Sequence, residues 1–447
     1  MAKEKLFFYC NSCGYKSSRW LGKCPECGEW NSFSEEPKAV KISATKKGIA
    51  SKISEINTGD NYRYLSGLTE FDRVLGSGAV KGEVLLVTGN PGIGKSTILM
   101  QALAGYGKYG EVLYISGEES AEQVKYRSER LGIDSNNFYI MAENNMEAIE
   151  EYITQKMPVV VVVDSIQTMY SEGSDSIPGT TTQIRESTFR ITDIAKKQGI
   201  TFFIVGHVTK DGKIAGPKLL EHMVDAVLSF EGEEHYFYRI LRSTKNRYGA
   251  TNELGIFDMK ETGMEEVKNP SEFFLSERSE KNSGSIVCPI MEGSKTFLLE
   301  VQALATPVLF GTPRRVVQGA DYNKVQIIAA VIEKRLSVVI GGMDLFINIP
   351  GGIAIKETAG DLAVAMAIVS VVKGIEISKK IAAIGELGLL GEIRRVSFIE
   401  KRIKELERVG FKGVYVPESN RSELEKKEFK IKINYLRNLS ELLERMG

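Results

Sequence analysis

Glu83-Val-Leu-Leu-Val-Thr88-Gly89-Asn90-Pro91-Gly92-Ile93-Gly94-Lys95-Ser96-Thr97 runs from an apolar stretch through a glycine-rich turn into helical spacing. Gly89 to Ser96 matches G-x4-G-K-[ST], and a match lying between a strand and a helix predicts a phosphate-binding loop. Glycines let the backbone wrap a phosphate, and the exposed N–H groups and helix N-terminus supply partial positive charge. Lys95 is suited to reach the terminal phosphates, and the Ser96 hydroxyl to ligate Mg2+. The expected ligand is a nucleoside triphosphate, ATP, held by Gly89, Asn90, Pro91, Gly92, Ile93, Gly94, Lys95, Ser96 and Thr97.

Around this loop, β-branched runs alternate with helical patterns. Strands are expected at Glu83 to Thr88, Glu111 to Ser116, Val159 to Asp164 and Thr201 to Val205, and helices at Ser96 to Tyr106 and Gln183 to Lys197. Alternation of this kind predicts an α/β fold with a parallel sheet and crossover helices. Strand ends near the loop carry further candidates. Asp164 closes the run Val159 to Val163 and is placed to hold magnesium-bound water. Ser116-Gly-Glu118-Glu119-Ser120 offers a carboxylate to orient or deprotonate an attacking water, Glu118 being the candidate, or two solvated loop charges. His207 ends another strand, where it can sense the γ-phosphate or serve the structure alone.

The chain has 447 residues, more than one core usually supports, so two or three domains are expected. Lys plus Arg and Asp plus Glu both number 58, so net charge neither requires nor excludes nucleic acid. The apolar runs fall far short of the ~20 residues that span a bilayer, and no membrane partner is expected. The N-terminus passes straight into a cysteine pair without a signal-peptide pattern, which predicts a cytoplasmic protein. Cys10, Cys13, Cys24 and Cys27 have the spacing C-x2-C-x10-C-x2-C, which suits tetrahedral Zn2+. Gly14 and Gly28 follow the second cysteine of each pair, and Trp20, Trp30 and Phe33 are expected to pack around the ion. The domains read as a zinc finger over 1–34, a linker over 35–60, a nucleotide-binding domain over 61–270 and a further α/β domain over 271–447.

The combination resembles the bacterial RadA/Sms family of DNA repair and recombination ATPases, relatives of RecA and of DnaB-type helicases. The resemblance rests on the cysteine finger, Leu65 to Leu75, Ser116 to Ser120, Ile214 to Asp225, and Lys245-Asn-Arg247-Tyr248-Gly249, close to the family's K-N-R-F-G. It implies a RecA-like ATPase core in a homohexameric ring, with Lys245 and Arg247 reaching a nucleotide on the neighbouring subunit. It also implies action on single-stranded and branched DNA, with translocation and branch migration, and a recombinase or helicase partner contacted through the finger. Ser171 to Thr182 and Thr209 to Lys218, the latter with Lys210, Lys213 and Lys218, have the composition of DNA-tracking loops or of mobile surface loops. A nucleotide-gated scaffold that recruits other repair factors is the competing function.

The segment from Ser285 onward resembles the proteolytic domain of Lon. Ala359 stands where the nucleophilic serine is expected and Glu400 where the lysine base is expected, so no protease activity is expected. Arg314, Arg315, Arg394 and Arg395 are candidates for a basic surface on this domain.

Overall fold

The computed structural model describes residues 8–10, 15–35, 52–55, 63–172, 176–207, 220–232, 238–276, 283–308 and 311–446. The chain divides into two units, Met1–Glu266 and Val267–Gly447. The first begins with a small antiparallel sheet in which β1 (Phe8–Cys10) lies between β2 (Lys16–Ser17) and β3 (Phe33–Glu35). Among the described residues Cys10, Cys24 and Phe33 form its buried apolar cluster, with Phe8 and Leu21 packed on them. Gly28 turns with φ +76°, the left-handed conformation expected after Cys27. Trp20 and Trp30 depart from expectation. They stand 52% and 69% exposed, because Cys10, Cys24 and Phe33 already fill the one small face that this sheet can bury.

A two-stranded pair, β4 (Arg63–Tyr64) and β5 (Ala79–Val80), flanks α1 (Thr69–Val74). The central strand β6 (Val84–Gly89) is buried along its whole length. Leu85 and Val87 enter the core on one face of the sheet, while Val84 and Leu86 enter a second core on the other. A run without polar alternation is what a strand covered on both sides requires. The chain continues through α2 (Lys95–Tyr106), β7 (Val112–Ser116), α3 (Ala121–Arg130), β8 (Phe138–Ala142), α4 (Met146–Lys156), β9 (Val160–Asp164), α5 (Thr181–Gln198) and β10 (Thr201–His207). Ile98, Leu103 and Val124 put α2 and α3 on the first core, and Ile149, Ile153, Ile184 and Ile191 put α4 and α5 on the second.

Then β11 (Ala226–Glu231) pairs parallel to β6, and β12 (Tyr238–Asn246), β13 (Leu254–Lys260) and β14 (Gly263–Glu266) extend the sheet antiparallel. The resulting order, β14-β13-β12-β11-β6-β10-β9-β7-β8, is that of a RecA-like sheet layered between helices. Because β6 and β7 are not neighbours, the loops at the C-terminal ends of the parallel strands face an open crevice, the usual place for a ligand in such sheets.

Glu83, fully buried just before β6, accepts from Val80 N–H at 2.8 Å. Burial pushes its carboxyl up to about 7, with the Asp225 carboxylate adding to the rise against the Val80 hydrogen bond and Arg63. A carboxyl whose folded pKa exceeds its unfolded value supports the fold at low pH and withdraws that support as pH rises through about 7. The loss is on the order of 3 kcal/mol. Glu83→Gln cannot ionise and keeps an acceptor for Val80. It is expected to melt above the wild type at pH 8, with the difference closing at pH 5. Parallel melting profiles for the two proteins across that range would remove the argument.

In the second unit α6 (Pro270–Leu275) precedes a seven-stranded sheet in the order β17-β18-β16-β15-β19-β22-β23. Its strands are β15 (Ser285–Glu292), β16 (Lys295–Pro307), β17 (Arg315–Gln318), β18 (Met343–Asn348), β19 (Ile381–Ala383), β22 (Gly413–Pro417) and β23 (Lys432–Leu436), with a separate hairpin of β20 (Glu386–Leu387) and β21 (Ile393–Arg394). Two of its helices, α7 (Tyr322–Leu336) and α9 (Ile399–Val409), are amphipathic and bury one stripe each, Val325, Ile328, Ile332 and Leu336 in the first and Ile399, Ile403 and Leu406 in the second. In α8 (Asp361–Lys373) residues 361–370 are all buried, and a helix covered on every side has no polar face to mark it in the sequence.

Candidate functional site

The loop after β6 folds as the glycines require. Gly94 caps α2 with φ +107°, a conformation that strains any residue with a side chain, and a Cβ there would lie 2.0 Å from Met264 Cε. Asn90, Pro91 and Gly92 form an exposed crest, Ile93 is the buried anchor, and Thr97 lies on the first turn of α2. Lys95 is 4% exposed, and its Nζ donates to the carbonyls of Gly89 and Asn90 at 2.8 and 2.9 Å. Burial pushes the Lys95 ammonium below its ordinary value, opposed by the Asp164 and Glu118 carboxylates. Those two carboxylates are therefore the charges that face Lys95.

Ser96 and Asp164, the two residues expected to serve Mg2+, meet on one side chain. The Tyr114 hydroxyl donates to Asp164 Oδ2 and also hydrogen-bonds with Ser96. A hydroxyl and a carboxylate converging this closely fit a hard cation that keeps some of its waters. Tyr114 was not legible as a site residue because its spacing on β7 is that of a core strand.

The two glutamates after β7 separate. Glu118 Oε1 accepts from Ser165 Oγ at 2.7 Å and lies 3.6 Å from His207 Nε2. Glu119 forms an ion pair with Arg127, and its backbone is clamped by Ser116 Oγ. His207 pairs in register with Gly89 across the adjoining strands, and its Nδ1 is buried without a hydrogen-bond partner among the described residues. Gly92, Gly94, Lys95, Ser96, Thr97, His207, Arg127, Arg130, Met259, Lys260 and Gly263 are among the residues lining one cavity of about 450 Å³. Arg127 and Arg130 had gone unremarked in the sequence. Their one signal is the i, i+3 spacing on the helix that follows Ser116 to Ser120.

Lys245 and Arg247 are placed elsewhere. Lys245 Nζ donates to the carbonyls of Glu221 and Val224 at 2.5 and 2.8 Å. Arg247 Nη1 donates at 3.0 Å to Asp225 Oδ1, whose Oδ2 accepts from Val84 N–H. Val84 begins β6 and the phosphate loop follows its end, so the six-residue strand puts roughly 17 Å between Arg247's anchor and that loop. Arg247 cannot reach its own chain's loop. Asp225, which holds it, closes the stretch Ile214 to Asp225 and was quoted there without a role. Tyr248 is 37% exposed.

At the N-terminus the sulfurs of Cys10, Cys24 and Cys27 lie within 4.8 Å of one another, which fits three thiolate ligands around one tetrahedral ion. The fourth expected ligand, Cys13, lies outside the described residues, as do residues 209–218 with Lys210, Lys213 and Lys218. Of the other loop expected to track DNA, Ser171 is buried and hydrogen-bonded to Arg190, whereas Ile177 is 76% exposed.

In the second unit Ala359 is buried just before α8. Glu400 forms ion pairs with Lys404 and Lys427. Two basic side chains reach residues flanking Ala359, Arg402 on Glu357 and Lys324 on Asp361. Positions 400 and 402, two apart on α9, point to nearly opposite sides of the helix. Arg402, 1% exposed, holds both Glu357 oxygens at 2.6 Å and the Pro289 carbonyl at 2.7 Å. Arg314, Arg394 and Arg395 are paired with Asp344, Glu392 and Glu423, and Arg315 donates to the Met343 and Ile340 carbonyls. Three of these four arginines are therefore charge-paired, and Arg315 is anchored by neutral carbonyls.

Comparison with known proteins gives three partial family matches. Residues 8–35 match a zinc ribbon described as a rubredoxin metal binding domain, residues 65–142 match the KaiC ATPase family, and residues 308–420 match subunit ChlI of Mg-chelatase. Over nearly the whole chain, relatives named DNA repair protein RadA are similar. Those of Halalkalibacterium halodurans and Bacillus subtilis are each 48% identical over 94% of both chains. That of Listeria monocytogenes is 48% identical over 94% of this chain and 93% of its own.

Proposed function

The chain belongs to the DNA repair protein RadA family, and from that premise we propose that it is a DNA-dependent ATPase that works as a hexameric ring. The ring translocates on single-stranded DNA and promotes branch migration in the bacterial cytoplasm. The observation that carries the ring is the distance between Arg247 and its own phosphate loop. A cation tethered at the far end of the sheet can serve hydrolysis only at a nucleotide bound by a neighbouring copy. Asp225 holds the guanidinium, and Lys245, anchored on the Glu221 and Val224 carbonyls, stiffens the turn that presents it.

Within one subunit Lys95 exchanges its two loop carbonyls for the β- and γ-phosphate oxygens. Ser96 and Asp164 are the residues that would hold Mg2+ or its waters, and the ion would supply charge neutralisation at the same phosphates. Glu118 orients a water for attack on the γ-phosphorus. As the new P–O bond forms, the bond to the β-phosphate oxygen breaks, and the water's proton passes towards the carboxylate, yielding ADP and phosphate. His207, 3.6 Å from Glu118, links that carboxylate to the strand beside the loop and is placed to respond to the γ-phosphate.

The Lon-like unit is proposed as a scaffold. Ala359 offers no nucleophile, and the nearby Cys288 thiol is fully buried, with burial pushing it up to about 12, so it stays protonated at neutral pH. No described helix is long and apolar enough to cross a membrane.

The test is ATP turnover with and without single-stranded DNA at low salt, with mass measurement in the presence of ATP. Oligonucleotide is expected to raise turnover, and Lys95→Ala to lower it at least about 100-fold in both conditions. A rate indifferent to DNA, with no DNA bound, would sink the DNA-dependent reading. A monomer at all nucleotide concentrations would sink the ring.

A further inference from the structure

Trp20 and Trp30 are the only tryptophans in the sequence, and both stand on the ribbon surface at 52% and 69% exposure. The two indoles converge on Gly22. A Cβ there would lie 3.7 Å from Trp20 Cζ3 and 4.0 Å from Trp30 Cζ3, so the space between the rings has a floor without a side chain. Cations are interleaved with the rings. Lys23 Nζ lies 5.6 Å from the centre of the Trp30 ring, and the exposed Arg19 immediately precedes Trp20. The surface is held in shape: Arg19 N–H and carbonyl bond to Ser17 Oγ, Asn31 N–H donates to Gly22 O, and Lys23 bridges to Trp30.

We propose that this face of the ribbon is a base-stacking platform for single-stranded DNA. Two exposed ring faces beside a bare backbone accept flat bases, and Arg19 and Lys23 complement the phosphates that follow them. A folded protein surface would need a matching apolar body, whereas here the apolar groups are two rings separated by cations. Glu26 and Glu29 on the adjoining turn limit the net charge, so stacking supplies most of the affinity and its salt dependence is shallow. The proposal rests on the DNA-acting reading above and adds a contact outside the ATPase core.

The experiment uses the full chain loaded with zinc. Its intrinsic tryptophan fluorescence, which comes from the ribbon alone, is read during titration with oligo(dT), while the anisotropy of the labelled oligonucleotide reports binding. Emission is expected to be quenched in step with binding. Trp20→Ala combined with Trp30→Ala is expected to weaken oligonucleotide binding about tenfold or more, with zinc content and DNA-free ATP turnover unchanged. Phenylalanine at both positions, which keeps a stacking ring, is expected to restore most of the affinity. Oligonucleotide bound with unchanged emission, or bound equally by the double alanine variant, would overturn the platform and leave the DNA-dependent ATPase standing. Absence of any DNA binding by the wild type would overturn both. Unchanged DNA affinity with loss of repair in cells would assign the surface to a protein partner and also overturn the proposal.

Discussion

Arg247→Ala is expected to lower kcat for DNA-stimulated ATP hydrolysis by about 10³–10⁵-fold while leaving nucleotide binding within a few fold. The guanidinium stands at the far end of the sheet from its own loop, so in the proposed ring its loss would remove charge from the transition state of a neighbour's nucleotide and nothing from its own subunit's ATP pocket. Removing it also leaves the Asp225 carboxylate, 3% exposed, without its partner, and a loss of fold could imitate a loss of catalysis. Arg247→Gln, which still offers a donor to Asp225, separates the two. Mixing supplies the decisive measurement. Lys95→Ala subunits retain Arg247, and Arg247→Ala subunits retain the loop, so at equal proportions about one interface in four combines two intact halves. Recovery of turnover on mixing two inactive proteins is expected. Full activity of Arg247→Ala in an assembled ring, or no recovery on mixing, would refute the shared site.

Glu118→Gln is expected to reduce kcat about 10²–10⁴-fold with ATP affinity largely retained, because the amide can still meet Ser165 and His207 but cannot accept a proton. Glu119→Gln should behave differently. It weakens the ion pair that positions Arg127 on the wall of the ATP cavity, so it acts on KM more than on kcat. Single-turnover measurements on both variants distinguish the two effects. Equal falls in kcat would place the water-activating carboxylate elsewhere.

Much of the site was legible because its chemistry is local. The phosphate loop needs glycines, a lysine and a hydroxyl at adjacent positions, and strand-ending Asp164 and His207 follow from the same alternation that marks the strands. What sequence left open were choices between neighbours and meetings between distant segments. Glu118 and Glu119 are equally acidic on paper, but Arg127 on the next helix takes Glu119 and leaves Glu118 to Ser165 and His207. Tyr114 and Asp225 looked like a core tyrosine and the end of a motif until folding set one on Ser96 and Asp164 and the other on Arg247. The strands β11–β14 and the buried helix α8 went unread for a related reason: neither displays the one-sided polarity that periodicity detects.

The sequence by itself determined the phosphate loop, the layered parallel sheet and the metal-binding cysteine spacing, since each is a short pattern whose residues are near neighbours in the chain. Only the tertiary structure decided that Glu118 meets Ser165 and His207 while Glu119 pairs with Arg127, that Arg247 is out of reach of its own loop, that Arg402 is bonded to Glu357 while Glu400 pairs with Lys404 and Lys427, and that both tryptophans face outward. Each of these depends on which surfaces a fold has already filled, and on where strands widely separated in sequence bring their ends, neither of which any local pattern encodes.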